Sequence, residues 1–284
     1  MALKQRPQCD RNTSTELFLE WRTAMFRVLM ALSVVLSGAS LVSAEIETKR
    51  ISYQEGGANL EGVLAWDATK TGKRPGILVV HEWWGLNDYA ESRARRLAEL
   101  GFVAFALDMY GKGQVTNHPN EAGEWSAKIR SNTDEWRRRA LAGLEILKNQ
   151  ETVDAQNMAA IGYCFGGSTV LQLSYADAPL KGVVSFHGAL VPPDGIQSVG
   201  ASVLVCHGAR DGFVPPQAVQ QFEAAMQKIN ADYQLVSYGG ARHGFTNPDA
   251  GEYGIDNLKY DADADRRSWE LMQSFFDEIF HADN

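Results

Sequence analysis

The chain has 284 residues, of which 45% are hydrophobic and 22% charged, with 26 Gly, 9 Pro and 3 Cys. This ordinary globular composition excludes a disordered chain, a collagen-like fibre and a disulfide-rich scaffold. The formal net charge is −8, so phosphate backbones would repel the protein and we expect no nucleic-acid partner. At this length we expect one α/β domain of roughly 200 to 250 residues behind a short leader.

The first 44 residues are typical of a leader with a signal peptide. Residues 28–44 carry no charge, follow Arg27 and end in the small residues Val-Ser-Ala, which predicts cleavage after Ala44 and a mature domain at 45–284. Met25 is the expected true start. The alternative is an uncleaved membrane anchor, but the apolar run is short for a membrane span. We therefore expect an exported, periplasmic or secreted monomer with no stable membrane insertion after processing.

The mature chain begins with a predicted antiparallel hairpin and continues with buried strands. Residues 46–66 alternate between apolar and polar around a Gly-Gly turn, which is typical of a hairpin at a sheet edge. The apolar runs that follow do not alternate, which indicates strands buried on both faces, as in a parallel sheet covered by helices. These runs are 77–81, 102–108, 158–163, 182–187, 202–207 and 233–238.

Helices are predicted between these strands from their start and stop signals. They cover residues 87–100 with Asn87 as N-cap, residues 133–149, a segment starting after Cys164, residues 215–230 and a segment after Asp263. Strands and helices alternate without a linker, so we predict one α/β fold with a mostly parallel central sheet and helices on both faces. Ligands should bind at the carboxyl ends of the strands.

A candidate nucleophile follows the strand at 158–163. The segment Gly162-Tyr163-Cys164-Phe165-Gly166 has the pattern Gly-x-nucleophile-x-Gly, whose small flanking residues permit a sharp turn from strand to helix. That turn exposes the central side chain at a helix N-terminus, where negative charge is stabilised. The alternative is that Cys164 is a small buried hydrophobe before an ordinary glycine-rich turn.

Two later loops supply a candidate acid and base. Asp211 lies in a tight turn after the strand at 202–207, and His243 lies in a loop after the strand at 233–238. Each residue alone is equally well explained as a turn former or a loop histidine. Together with Cys164 they follow the order nucleophile, acid, base that such folds use, so we predict a catalytic triad at one edge of the sheet.

The segment His81-Glu82-Trp83-Trp84-Gly85 follows the strand at 77–81. We expect the backbone N–H groups of Trp83 and Phe165 to form an oxyanion hole. Glu82 is expected to face the thiol, with a surface ion pair as the alternative.

Aromatic and basic residues in nearby loops are candidates for substrate contact, although aromatic rings also serve packing. These candidates are Trp84, Tyr110, Trp125, Phe213, Phe245 and Arg242. His187 and His207 are interpreted as core histidines and Cys206 as an inert core thiol. No His or Cys spacing indicates a metal site, and we expect no metal and no cofactor.

The segments GYCFGG, ARDGFVP, RHGF and HEWWG together resemble the dienelactone hydrolase family, and the resemblance covers about residues 46–280. It implies an α/β-hydrolase fold and a triad of Cys164, Asp211 and His243. It also implies that Glu82 holds the resting thiol and takes its proton when substrate enters. The family substrate is an enol lactone bearing a carboxylate, opened to maleylacetate.

In the family an Arg four residues after the catalytic His grips that carboxylate. This chain has Asn247 at that position, so we expect weak turnover of dienelactone unless Arg242 or another cation compensates.

The leading hypothesis is hydrolysis of small lactones or activated esters through an acyl-cysteine intermediate. A broader carboxylesterase or thioesterase is the alternative within the enzymes. Outside them, the chain could be a non-catalytic exported binding protein or a redox sensor using Cys164 and Cys206. The complete set of triad residues argues against the former, and the absence of a Cys-x-x-Cys motif argues against the latter.

Overall fold

Residues 44–281 are described by the structure, a computed structural model. The predicted leader lies outside these residues except for Ala44, so its cleavage, the start at Met25 and export stay predictions. Within residues 44–281 no helix is both long and apolar enough to cross a bilayer.

One mixed sheet organises the fold. Its strands are β1 (Ile46–Glu55), β2 (Ala58–Asp67), β3 (Arg74–Val80), β4 (Val103–Leu107), β5 (Val153–Tyr163), β6 (Gly182–Phe186), β7 (Ser202–Gly208) and β8 (Tyr233–Tyr238). Their order across the sheet is β1-β2-β4-β3-β5-β6-β7-β8. The pairs β1/β2 and β2/β4 are antiparallel, and every neighbouring pair from β4 to β8 is parallel. The carboxyl ends of β3 to β8 therefore share one edge.

Helices cover both faces of this sheet. They are α1 (Asp88–Glu99), α2 (Pro119–Arg130), α3 (Thr133–Lys148), α4 (Phe165–Tyr175), α5 (Pro216–Lys228) and α6 (Ala262–His281). Side chains of α1 and α6 join one apolar cluster and those of α2 to α5 join the other. In β3, Leu78 and Val79 point into opposite clusters and both are fully buried. The predicted fold class is confirmed, and the apolar runs of β3 to β7 are buried on both faces as expected. The expectation is wrong for β8, an edge strand whose residues are all at least partly exposed.

Most predicted elements agree with the structure to within a few residues, but α2 was not predicted. Its N-cap position is His118, which makes no side-chain capping bond, so the usual Ser, Thr, Asp or Asn start signal is missing. Pro119 at the first helical position is the remaining local signal. This omission matters because α2 contributes to the cavity described below.

A close backbone approach at the end of β5 gives a stability prediction. A Cβ atom added to Gly162 would lie 2.0 Å from the carbonyl oxygen of Gly166, which is backbone and cannot move aside easily. We expect Gly162→Ala to lower the free energy of unfolding by about 3 kcal/mol, measured by urea denaturation. Gly239→Ala is the control, because an added Cβ there meets nothing within 4 Å. Equal denaturation midpoints for the two variants would contradict this account of the turn.

Candidate active site

Cys164 occupies a strained turn between β5 and α4. Its backbone has φ 53° and ψ −112°, in a region that residues with a side chain rarely adopt and that costs about 1 to 3 kcal/mol. The Cys164 N–H donates to Phe186 O and to His187 Nδ1, both at 3.0 Å. A Cβ on Gly166 would lie 2.2 Å from Val80 O. The Gly-x-Cys-x-Gly pattern is therefore a requirement of the close contact between β3, β5 and α4.

Asp211 and Cys164 contact the same imidazole. The Nδ1 atom of His243 lies 2.7 Å from Asp211 Oδ2, and the His243 ring also hydrogen-bonds the Cys164 side chain. Because Nδ1 faces Asp211, the bond to Cys164 uses Nε2. The other oxygen of Asp211 accepts from the backbone N–H groups of Phe213 and Val214 at 2.9 and 3.3 Å. The structure thus brings the three predicted triad residues together from the ends of β5, β7 and β8.

The charge on His243 depends on these two neighbours. Burial alone lowers the pKa of His243, but the interactions with Cys164 and Asp211 outweigh burial and raise that pKa to about 10. The site therefore stabilises the imidazolium that forms when His243 accepts a proton.

Glu82 makes a different contact from the one the sequence predicts. Its side chain is buried, and its Oε2 accepts from Asn247 Nδ2 at 2.7 Å. Cys164 is paired with His243 and not with Glu82. Burial raises the pKa of Glu82 to about 7, against the opposing effects of Asn247 and His243. This carboxyl group is therefore poised to gain or lose a proton near neutral pH.

Asn247 is committed to the protein. It is 1% exposed, and besides its bond to Glu82 its Oδ1 accepts from Asp249 N at 3.0 Å. At the position where the family carries a carboxylate-gripping Arg, this chain thus has a buried Asn that donates to Glu82.

A cavity of about 200 Å³ opens beside the thiol. It is lined by Trp83, Arg130, Cys164, Phe165, Ser168, Ala189, Phe213, Val214, His243 and Leu258. The backbone N–H groups of Trp83 and Phe165 donate to no protein group within residues 44–281. Phe165 is the first residue of α4, where N–H groups lack partners within the helix. Both predicted oxyanion donors therefore belong to residues of the cavity wall.

Of the predicted substrate contacts, Phe213 is the one that lines this cavity. It is 52% exposed and packs edge-on against His243, with ring centroids 5.0 Å apart. Trp84 and Phe245 are instead core residues. Trp84 stacks on Tyr253 at 3.9 Å, and Phe245 is fully buried. Proximity in the chain did not reveal which face of each loop these rings occupy.

The remaining predicted contacts do not line this cavity, although the ring of Tyr110 packs against Phe165 with centroids 5.5 Å apart. Tyr110 and Trp125 line a neighbouring cavity of about 620 Å³ that does not include Cys164. Arg242 donates to the carbonyl oxygen of Asp256, so it does not replace the missing Arg in the site.

Arg130 is the cation that the sequence analysis missed. It ends α2 and lines the cavity beside Cys164, with its Nη2 donating to Ser126 Oγ at 3.2 Å. Its role was hidden because the helix itself was not predicted. Leu258 was missed because nothing in its local sequence distinguishes it from a packing residue.

The other singled-out residues are buried. His187 is hydrogen-bonded through both ring nitrogens, whereas Nδ1 of His207 has no partner among the described residues. Burial raises the pKa of the Cys206 thiol to about 12, which keeps it protonated and unreactive. No group of three or more His, Cys, Asp or Glu side chains within residues 44–281 is arranged to hold a metal ion.

The strand order and the turn after β5 define an α/β-hydrolase fold, in which the acid and base follow the nucleophile along the chain. The model of the dienelactone hydrolase family matches residues 60–280. The chain belongs to that family, and the resemblance read from the sequence is confirmed.

Individual relatives agree with this assignment. A crystal structure of a dienelactone hydrolase-like promiscuous phosphotriesterase from metagenomic libraries is 42% identical, with a TM-score of 0.81, over 83% of this chain and 99% of that one. A relative from Saccharolobus solfataricus, provisionally named carboxymethylenebutenolidase, is 28% identical over 81% of this chain and 98% of its own length. These proteins match along nearly their whole length, so the similarity extends to the entire domain.

The raised pKa of Glu82 predicts a pH-dependent stability. Because this pKa is about 7 in the folded protein and 4.5 in the reference state, the folded state binds the proton more tightly between these values. Stability must then fall as pH rises from about 4.5 to above 7. Glu82→Gln removes this loss, so between pH 5 and 8 it should gain about 2 to 3 kcal/mol relative to the unmodified protein. Urea denaturation at both pH values measures the difference.

The control is Glu145→Gln, which removes a half-exposed carboxylate from the surface. Its stability should follow that of the unmodified protein at both pH values. A Glu82→Gln variant that does the same would show that Glu82 is ionised across this range.

Proposed function

We propose that the protein hydrolyses small lactones and activated esters, with Cys164 as nucleophile, His243 as general base and Asp211 as the group that orients the imidazole. The observation that carries the proposal is that Cys164 and Asp211 both hydrogen-bond to the His243 ring, at the wall of a cavity. Family membership supports a hydrolase. The relatives named carboxymethylenebutenolidase support lactones and esters as the substrate class.

Acylation begins when Nε2 of His243 takes the thiol proton of Cys164. The sulfur then forms a bond to the carbonyl carbon, and the carbonyl oxygen becomes an oxyanion. The N–H groups of Trp83 and Phe165 donate to this oxygen and stabilise its charge. When the C–O bond to the leaving group breaks, His243 returns the proton to the departing oxygen. In a lactone the leaving oxygen stays attached to the acyl group, so the ring opens on the enzyme.

Deacylation repeats these steps with water. His243 takes a proton from a water molecule, whose oxygen attacks the thioester carbon. The C–S bond breaks, and the imidazolium returns its proton to the sulfur or leaves an ion pair with it. Asp211 stabilises the imidazolium in both halves of the reaction and keeps Nδ1 protonated.

The cavity favours a small substrate. A volume of about 200 Å³ corresponds to about seven water molecules at 30 Å³ each, and it lies below the size of common drug-sized pockets. Small rings and short acyl chains are therefore the expected substrates.

Small phosphotriesters are a second candidate substrate class. The relative that is 42% identical is named a promiscuous phosphotriesterase. A neutral phosphoryl oxygen would meet the same two N–H donors while the sulfur of Cys164 forms a bond to phosphorus. The P–O bond to the leaving group would break as His243 returns the proton to the departing oxygen, and water would then cleave the P–S bond.

We further propose that Glu82 is a second proton acceptor for the thiol. Its carboxyl group must first leave Asn247, so an arriving substrate or a rotation of the side chain would have to break that bond. We also propose export of the protein as a monomer, with the uncharged segment at residues 28–44 supporting the signal peptide.

The nucleophile assignment is tested with two cysteine variants. Cys164→Ala should lower kcat/KM for a small activated ester more than about a hundredfold, a loss of roughly 3 kcal/mol in transition-state stabilisation. Cys206→Ala is the matched control, since its thiol is fully buried in β7, and it should keep nearly full activity. Iodoacetamide should inactivate the unmodified enzyme and the control alike. A Cys164→Ala variant that retains more than a hundredth of the activity would rule out Cys164 as nucleophile.

Arg130 gives a prediction about substrate charge. It is the positively charged side chain in the cavity wall, and a charge-assisted hydrogen bond to a carboxylate is worth about 1.5 to 3 kcal/mol, less at an exposed site. Arg130→Gln should lower kcat/KM about tenfold for a lactone bearing a carboxylate and leave a neutral lactone of equal size within about twofold. Arg242→Gln is the control and should change neither value.

Equal losses for the charged and the neutral lactone would mean that Arg130 shapes the cavity without recognising charge. If only Arg242→Gln lowered kcat/KM for the charged lactone, Arg242 would be the residue that binds the carboxylate, as the sequence suggested.

A further inference from the structure

We propose that His187 is a positioning residue whose neutral ring, protonated on Nε2, ties the strained Cys164 turn to the loop that carries His243. The inference deepens the proposed function, because it concerns how that nucleophile and that base are kept aligned. His187 directly follows β6 and touches the backbone of Cys164, and no part of its ring reaches the cavity lining.

The hydrogen bonds of His187 determine its tautomer. Its Nδ1 lies 3.0 Å from the backbone nitrogen of Cys164, which is a donor, so Nδ1 must accept and carries no proton. A neutral imidazole then has its proton on Nε2, which lies 2.8 Å from Thr246 Oγ1 and donates to it. The ring therefore bridges one residue of the nucleophile turn and one residue of the base loop.

Thr246 is itself held in place from three directions. Besides the bond from His187, its hydroxyl lies 2.7 Å from the Tyr89 hydroxyl, and its carbonyl oxygen accepts from Arg93. Thr246 lies between His243 and Asn247 in the chain and is 1% exposed. The loop that carries His243 and Asn247 is thus fixed at Thr246, which is bound to His187 at the end of β6.

The surroundings keep the His187 ring neutral. Burial lowers its pKa well below the usual value, and the nearby charges of His243, Arg93 and His207 act in the same direction, which outweighs the opposing effect of the residue's own backbone. Tyr163, the other titratable side chain in ring contact, has a pKa raised by burial and stays neutral. A proton on Nδ1 would point at the N–H of Cys164 and break that bond. The ring thus stays in the single form that the bridge requires.

The bridge matters because two of its members, the nucleophile residue and the bridging histidine, have strained backbones. Cys164 has φ 53° and His187 has φ 42°, and such residues relax unless their surroundings fix them. If the bridge is lost, the Cys164 turn and the His243 loop can shift relative to each other. A small misplacement of reacting groups lowers kcat strongly and affects substrate binding little.

Two pairs of variants separate this role from general stability. Thr246→Val removes the acceptor for Nε2 while keeping the shape of the side chain, and Thr246→Ser keeps a hydroxyl. We expect Thr246→Val to lower kcat about tenfold with KM within about twofold, and Thr246→Ser to restore kcat to within about twofold of the unmodified enzyme. His187→Asn, whose amide oxygen can replace Nδ1 and which tolerates positive φ, should show the same loss as Thr246→Val. Ser185→Ala is the control.

Ser185 lies in β6, is fully buried, and its hydroxyl has no hydrogen-bond partner among the described residues. Ser185→Ala should leave kcat unchanged. This control measures the effect of a buried substitution in β6 that leaves the hydrogen bonds of His187 intact. If Thr246→Val and His187→Asn both keep kcat within twofold of the unmodified enzyme, the positioning role is wrong. It is equally wrong if Ser185→Ala reproduces their loss.

Nitrogen NMR of the histidine rings in the unmodified protein gives a second readout that needs no variant to fold. We expect His187 to show an unprotonated Nδ1 and a protonated Nε2 throughout the pH range of the folded state. A proton on Nδ1 would overturn the inference. This result does not depend on which residue is the nucleophile. An active Cys164→Ala variant would overturn the proposed function, whereas the tautomer of His187 is tested separately by the NMR measurement.

Discussion

The left-handed backbone of Cys164 is the constraint on which the rest of the site depends. It turns the chain from β5 into α4 within one residue, which leaves the Cys164 side chain partly exposed at the sheet edge and the first N–H of the helix without a partner inside the helix. The turn is possible because Gly162 and Gly166 let backbone atoms approach closer than a Cβ would allow. The candidate nucleophile, the candidate oxyanion donor and the glycine pattern are therefore consequences of one backbone geometry.

The parallel sheet converts this local geometry into a site. The ends of β5 and β7 are buried on both faces and β8 is paired with β7 along its length, so the loops at their carboxyl ends start from fixed points. Asp211 and His243 begin from neighbouring strands and meet at 2.7 Å. Phe213, which is half-exposed and lines the cavity, packs edge-on against the His243 ring. The chemistry is thus assembled from short loops whose freedom is limited by the core beneath them.

The sequence predicted the features that depend on local pattern and missed those that depend on long-range contact. Buried strands appear as continuous apolar runs, and the turn at Cys164 appears as paired glycines, so both could be recognised without a structure. The contact between Glu82 and Asn247 joins residues 165 positions apart. Nothing in the local sequence of either residue indicates its partner. Arg130 was missed for a different reason, because the N-cap position of its helix is His118, whose side chain makes no capping bond.

The carboxyl groups of Asp211 and Glu82, both near the imidazole, differ in their hydrogen-bond donors, and this difference determines the acid–base chemistry of the site. Asp211 accepts from Phe213 N, Val214 N and the His243 ring, so its oxygens are saturated with donors and it is fixed as an acceptor. Glu82 has one amide donor in a buried setting, and its pKa is raised to about 7. Environments that separate two carboxyl groups in this way separate their roles. Near neutral pH, Glu82 is therefore the carboxyl group that gains or loses a proton, while in the proposed mechanism Asp211 keeps the imidazole oriented.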